Sequence, residues 1–330
     1  MNKYLYKYMP LREQFFVEPM LRATQIEGLN DPFEASLAME QIVNVMKHQD
    51  NVFAPDGYEK SEDEDNYHIQ ACLETIPEDL NEQGIVSFTE DYSNLLMWSH
   101  YADEHQGIVI EIENDHSWLD DKYFIENDKF VRFAESPVCN MHELPTRVVY
   151  RDTQPMFELE RDALPDDKYS VPYKKLIKSL FLTKGDKWIY EKEHRSILNL
   201  RYCDKLVTDY SDLLEMICNG QLTIQGDKKG KCEINIPSDF DVGENEDVNG
   251  DGIRLGLYSA TRYTSKSLYL YKVDPMVITG VYFGCNVPDY KIKKCIELIR
   301  NNSNFREDLI LKKAVARKDR YALSFEEIKI

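Results

Sequence analysis

The sequence predicts an α+β fold: a single domain built on a mixed, mainly antiparallel sheet flanked by helices. Three observations carry this reading. Short strand-like runs outnumber long helical ones. They do not alternate regularly with helices, as a doubly wound parallel sheet would require. No shift in composition divides the 330 residues, so 1–330 reads as one domain with polar insertions near 54–66 and 226–252.

In chain order, YLYKY (4–8) alternates and is rich in Tyr, which marks a strand. A short helix is expected around Arg12–Val17, then a strand over LRATQI (21–26). GLNDPFEA (28–35) is turn chemistry, because Gly, Asn, Asp and Pro set special backbone angles. Apolar residues at helical spacing place a helix over 35–49. APDGYEKSEDEDN (54–66) is polar and acidic and reads as an insertion, followed by a helix over 67–73. GIVSFTE (84–90), a helix over Ser93–Asp103 and GIVIEIE (107–113) form a strand–helix–strand unit. FVRFA (130–134) and TRVVYRD (146–152) read as strands. PYKKLIKSLFLTK (172–184) reads as a helix whose Lys-rich last turn complements the helix dipole. KWIYEKEHRSILNL (187–200) runs into a strand, and a helix covers Tyr210–Cys218. The stretch 226–252 reads as a polar, Gly-rich loop with one strand at Cys232–Ile236. SLYLYKV (267–273), ITGVYFG (278–284) and RYALSFEEI (320–328) read as strands. Residues 288–302 form an amphipathic helix with Ile292, Cys295, Ile296 and Ile299 on one face.

Composition removes several classes of function. Charged residues make up 30% of the chain and the formal net charge is −19. So acidic a surface argues against coating duplex DNA, which needs clustered Lys and Arg. No apolar run reaches the ~18–20 residues of a membrane helix. The opening MNKYLYKYMPL lacks a signal-peptide apolar core, so a cytoplasmic protein without membrane contact is expected. The seven cysteines (72, 139, 203, 218, 232, 285, 295) are scattered, none in a CxxC pair, and read as reduced and mostly buried. DVNGDG (247–252) resembles the start of a calcium loop, but its twelfth position is Tyr258 instead of an acidic ligand. GDKKGKC (226–232) has the wrong spacing for a phosphate loop. His100 and His105 stand five apart, a poor spacing for shared ligation on a helix. No resident metal is expected.

Three segments carry candidate chemistry. LYKY supplies Lys7. VSFTE supplies Ser87, Phe88 and Thr89, and leads into the helix bearing Trp98 and Tyr101. YEKEHR supplies Glu191 and Glu193. Residues two apart on a strand share a face, so the two glutamates can point into one cleft, as can Ser87 and Thr89. Bland readings stand beside each. Trp98 between two strands suits a core, Glu191 and Glu193 with Arg195 suit a surface charge ladder, and Asn30, Asp31 and Pro32 suit a turn.

The strings LYKYMPL, LNDPFE, GIVSFTE…LLMWSHYADEHQGIVIEI, W-x-x-E-x-E-x-R (Trp188–Arg195) and VYFG together resemble the bacterial family catalogued as domain of unknown function 2971. More distantly, their order is similar to that of the ADP-ribosyltransferase superfamily. That resemblance implies an ADP-ribosyltransferase-like core with NAD as substrate. Lys7 stands where that superfamily has Arg or His on its first strand, and a Lys lacks the planar bidentate fork of Arg. Ser87, Phe88 and Thr89 match the middle strand, Tyr101 and Trp98 the following helix, and Glu191 and Glu193 the late Glu-x-Glu. The implied chemistry cleaves the nicotinamide–ribose bond through an oxocarbenium-like transition state. Glu193 would stabilise its charge, Glu191 would orient an unknown protein or nucleic-acid acceptor, and Tyr101, Phe88 or Trp98 would stack on nicotinamide. Ser87 would anchor ribose or a neighbouring carboxylate. The resemblance also implies a setting in bacterial conflict, as a toxin or phage-defence effector. Two other classes stay open: a metal-dependent nuclease using Asp31, Glu34, Glu191 and Glu193, and a non-enzymatic sensor of a nucleotide or phage protein.

Overall fold

The computed structural model describes residues 2–34, 80–115, 118–119, 144–153, 178–237, 250–264 and 266–328. The expected helices at 35–49 and 67–73, the acidic stretch 54–66 and the strand at 130–134 lie outside these residues. Among them, the architecture is α+β with a large, mainly antiparallel sheet. In sequence order the strands are β1 (Tyr4–Met9), β2 (Met20–Gln25), β3 (Gln83–Thr89), β4 (Ile108–Glu113), β5 (Thr146–Arg147), β6 (Val149–Arg151), β7 (Thr183–Gly185) and β8 (Glu193–Asn199). Then follow β9 (Lys205–Asp209), β10 (Ile224–Gly226), β11 (Lys231–Asn235), β12 (Leu268–Lys272), β13 (Ile278–Phe283), β14 (Ile310–Ala316) and β15 (Leu323–Glu327). Four helices matter: α1 (Leu95–Tyr101), α2 (Asp212–Cys218), α3 (Gly250–Thr261) and α4 (Asp289–Asn301).

The sheet runs β10-β11-β9-β12-β2-β3-β1-β4-β13-β14-β15, with β8 on the other edge of β3 and β5 beyond it. Its one parallel pair is β13 with β14, joined through α4, since parallel neighbours need a crossover. β6 and β7 form a separate parallel ladder. β3 is the junction. Along one edge it pairs continuously with β8, from Gln83–Asn199 to Thr89–Glu193. Along the other it pairs first with β2, at Ile85 and Gly84, and then with β1, at Thr89. Between Ile85 and Thr89 this second ladder is interrupted, and β1 and β2 part there. That gap places the cleft described below.

The strand–helix–strand unit forms as its pattern predicts. Val86, Ile108 and Ile110 are fully buried. Asn94 caps α1, its side chain accepting from the backbone N–H of Leu96 and Met97. Apolar character alone would pack Leu96 with Met97 beneath the sheet, but the helix is rotated away from that. Met97 and Trp98 pack inward, while Leu96 is 51% exposed. One residue on a helix is about 100° of rotation, so burying Trp98 turns Leu96 outward. After α1, Asp103, Glu104 and His105 all adopt positive φ, and this left-handed run turns the chain back into β4. Gly107 follows where a Cβ would lie 2.4 Å from the Met9 carbonyl oxygen. Gly107→Ala is therefore expected to cost about 1–3 kcal/mol by overpacking, read as a lower denaturation midpoint. An unchanged midpoint would contradict this close approach.

Four readings change. TRVVYRD is two strands, β5 pairing with β8 and β6 with β7, because Val148 between them is buried and donates its N–H to the Glu193 carbonyl. The helix expected to end at 184 stops at 182, and Lys184 lies on β7. The loop expected to run to Gly252 gives way at Gly250 to α3, whose Arg254, Leu257 and Tyr258 are buried. Its glycines weaken helix propensity but permit close packing: a Cβ on Gly256 would lie 3.0 Å from Ile217 of α2. β9 and β14 go unmarked in the sequence because Lys and Asp flank or interrupt their apolar residues. Cys203, Cys218, Cys232 and Cys295 are buried free thiols. No helix among the described residues is long and apolar enough to cross a membrane.

Candidate functional site

A cleft of about 210 Å³ opens where β1 and β2 part on β3. Lys7 of β1, Arg22 of β2, Ser87 of β3, Tyr101 of α1, Lys184 of β7, Glu191, and Glu193 and Arg195 of β8 all line it. Whole small-molecule sites span ~300–1,000 Å³, so the described cleft encloses part of a dinucleotide rather than the whole of one.

At its centre are buried charges. The Lys184 ammonium lies 2.9 Å from Glu34, 2.7 Å from Glu191 and 3.2 Å from Glu193. Arg195 is 1% exposed. Its Nε donates to one Glu193 oxygen at 2.8 Å and its NH2 group to the other at 2.9 Å, and also to Glu34 at 2.7 Å. The third guanidinium nitrogen donates to the Phe181 carbonyl. Arg195 with Glu193 is thus a planar bidentate pair. The expectation of a surface charge ladder is overturned. Glu193 and Arg195 share one face of β8, and the strand from Arg195 through Asn199 is buried. The run SILNL that follows Arg195 was the available signal, since a near-continuous apolar strand is buried on both faces.

Glu191 and Glu193 do converge, by a route other than strand alternation. Glu191 ends a 3-10 turn (Asp186–Glu191), and Lys192 is left-handed at φ 46°. That reversal delivers Glu191 beside Glu193. Burial pushes the Glu191 carboxyl up, only partly offset by Lys184 and by the Tyr101 hydroxyl. Burial would also raise Glu193, but Arg195 and Lys184 outweigh it and hold it down at about 2. For Lys184 the penalty of burial is outweighed by Glu193, Glu34 and Glu191, which raise its pKa.

The remaining predicted residues separate into two groups. Tyr101 donates to Glu191 Oε1 at 2.5 Å and accepts from Asn30 at 3.2 Å. Lys7 donates to the Ser87 carbonyl at 2.9 Å, across the gap in the ladder. Burial pushes Lys7 down to about 8, with Glu193 opposing that and Arg22 adding to it. The Ser87 hydroxyl bonds the Glu193 carboxylate. Thr89 is buried and donates to the Glu191 carbonyl, which fixes the 3-10 turn. Phe88 is 2% exposed, its ring 5.7 Å from that of Trp118. Trp98 is not brought to the cleft. It is fully buried, packs edge-on against Tyr8 and donates to the Tyr92 carbonyl. Phe88 borders the cleft but its side chain is almost wholly buried, and Trp98 is fully buried, since β3 turns alternate residues and α1 every third or fourth residue into the core. Asn30–Pro32 forms the expected turn, with Asp31 accepting from the Phe33 N–H. That turn also carries Glu34 to the charge cluster.

Lys184, Arg195 and Arg22 are absent from the sequence-based site, and Glu34 enters it only as a metal ligand. The LNDPFE and W-x-x-E-x-E-x-R strings pointed to the segments without indicating that their charges are buried together. A divalent ion shared by Glu34, Glu191 and Glu193 would compete with the Lys184 ammonium that already lies among them.

Fold and site together define an α+β protein with a small polar cleft at a forked sheet, floored by buried ion pairs. Over residues 97–196 the chain matches the family model described as Protein of unknown function (DUF2971), a span that includes Tyr101, Lys184, Glu191, Glu193 and Arg195. No curated protein and no solved structure gives a significant match.

Proposed function

We propose that the cleft receives the nicotinamide–ribose half of NAD and that the protein consumes NAD, by ADP-ribosyl transfer or by hydrolysis. The observation that carries this reading is convergence. Lys7, Ser87, Tyr101, Glu191 and Glu193 come from separate elements and line one cleft, in the chain order that the distant resemblance implies. The reaction breaks the bond between ribose C1′ and the nicotinamide nitrogen. The electron pair leaves with nicotinamide, an acceptor or water bonds to C1′, and the attacking group loses its proton.

The geometry favours Glu191 over Glu193 as the carboxylate that meets ribose. A carboxylate has about four acceptor positions. Arg195 and Lys184 supply three hydrogen bonds to Glu193, and Ser87 adds another. Glu191 has side-chain bonds from Tyr101 and Lys184, which leaves room for a ribose hydroxyl. Glu193 then holds Lys184 and Arg195 in place. Tyr101 is one of the aromatic residues lining the cleft, and its ring beside Glu191 is the one we place against nicotinamide. The saturation of Glu193 equally suits a cleft that binds a nucleotide without turning it over. Nicotinamide release by the wild type, with cell lysate supplying an acceptor, separates the two. Release supports consumption, whereas tight NAD binding without release supports a sensor.

Lys7 gives this reading a pH signature. Its ammonium is charged below about 8, so affinity for NAD is expected to be full at pH 6.5–7, on the order of one unit below that value, and to fall as pH rises through about 8. Lys7→Met should lower affinity and flatten the profile. Glu191, Glu193 and Arg22 also act on Lys7, and a profile unchanged in Lys7→Met would mean that Lys7 is not the titrating group.

A further inference from the structure

Arg22 distinguishes one end of the cleft from its centre. In the centre, Glu34, Glu191 and Glu193 are matched by Lys184 and Arg195. Lys7 and Arg22 are two further cations on the same cleft. Lys7 hydrogen-bonds a backbone carbonyl and, among the described residues, makes no ion pair within 4 Å. An ammonium has three donors, so two stay available. Arg22 is half-buried, and its Nε is shielded from solvent with no hydrogen-bond partner among the described residues. The two cations are close enough to repel each other.

Unlike Arg195, Arg22 makes no ion pair within 4 Å to a carboxylate among the described residues. A buried guanidinium donor without an acceptor costs free energy, and a second cation beside it adds repulsion. Both costs vanish when an anion with several acceptor oxygens enters between them. A guanidinium fork with an ammonium point charge suits phosphate oxygens. Gly28 lines the same end, and a Cβ there would lie 3.4 Å from an Arg22 nitrogen. The missing side chain keeps that approach open.

We propose that Arg22 and Lys7 form a diphosphate-binding subsite, which takes the diphosphate of a nucleotide whose sugar end reaches toward Glu191. This rests on the reading of the cleft as a nucleotide site, but it does not need nicotinamide or turnover. β1 and β2 are antiparallel to β3 and meet it end to end, so Lys7 and Arg22 flank the gap from its two sides. The subsite spans the fork of the sheet, and ligand binding would bridge β1 to β2.

The test is calorimetric titration of wild type, Arg22→Gln, Arg22→Lys and Lys7→Gln with ADP-ribose, inorganic pyrophosphate and nicotinamide riboside, which carries no phosphate. Wild type is expected to bind ADP-ribose, and each Gln variant to bind it about ten- to a hundred-fold more weakly, the range of a lost charged hydrogen bond. Arg22→Lys should recover part of the loss, which excludes simple misfolding. Nicotinamide riboside affinity should not change. ADP-ribose affinity equal in wild type and Arg22→Gln, or no binding of either phosphate ligand by wild type, would overturn the subsite. Pyrophosphate binding that depends on Arg22 while ADP-ribose does not bind would mark a free anion as the ligand and overturn the nucleotide assignment. Arg22-dependent ADP-ribose binding without nicotinamide release keeps the subsite and removes NAD consumption. Release with a KM unchanged in Arg22→Gln does the reverse.

Discussion

Arg195→Ala is expected to lower the melting temperature by about 10 °C. Removing one partner of a buried ion pair costs about 3–5 kcal/mol, and each kcal/mol moves the midpoint of a large domain by about 2–4 °C. The loss is large here because Arg195 serves Glu193, Glu34 and the Phe181 carbonyl at once. Without it Glu193 stays buried with Lys184 as its remaining ion-pair partner among the described residues, and Glu34 loses one of two. Arg195→Lys should recover little, since an ammonium cannot span both Glu193 oxygens. The same pair has a pH signature. Glu193 is held at about 2 against its usual 4.5, so folding stability from this group is complete above about 4.5 and is lost as pH falls through about 2. The amount is about 3 kcal/mol. Arg195→Ala should shift acid unfolding to higher pH. Thermal and acid unfolding of the purified variants check both, and a melting temperature within about 2 °C of wild type, less than one kcal/mol, would mean the pair contributes little.

Glu191→Gln is expected to cut nicotinamide release by about 10²–10³ while leaving the fold intact. Gln keeps the shape of Glu but removes the charge facing the developing ribosyl cation, and a preorganised group of that kind contributes on this scale. Lys184 keeps Glu34 and Glu193, so stability should fall far less than in Arg195→Ala. Glu193→Gln should show the opposite balance. It breaks the bidentate pair, so thermal stability drops, and activity per folded molecule falls less than in Glu191→Gln. If Glu193→Gln instead keeps its melting temperature and loses all release, the roles of the two glutamates are exchanged.

The contrast between these two glutamates shows what the sequence conveys and what it withholds. GIVSFTE and GIVIEIE were legible as strands because period-two apolar runs depend on local sequence alone. The capped helix between them was legible for the same reason. β9 and β14 were not, because short strands with Lys or Asp at their ends lack that contrast. α3 was hidden by its glycines, which local propensity counts against a helix and close packing requires. At the site, the segments were legible and the burial was not. Glu193 and Arg195 look alike whether they face solvent or core, and Lys184 reads as a helix end until β7 brings it between Glu34 and Glu191. Arg22 gives no local signal at all, since its place depends on where β1 and β2 part on β3.

The most direct test is a structure of the protein with NAD bound, for which the proposed cleft has a definite outcome. The expected result is the nicotinamide ribose within hydrogen-bonding distance of Glu191, the ring against Tyr101 and the diphosphate between Lys7 and Arg22. NAD bound elsewhere, or a cleft that stays closed to NAD at millimolar concentration, on the order of 1,000 times a micromolar KM, would contradict it.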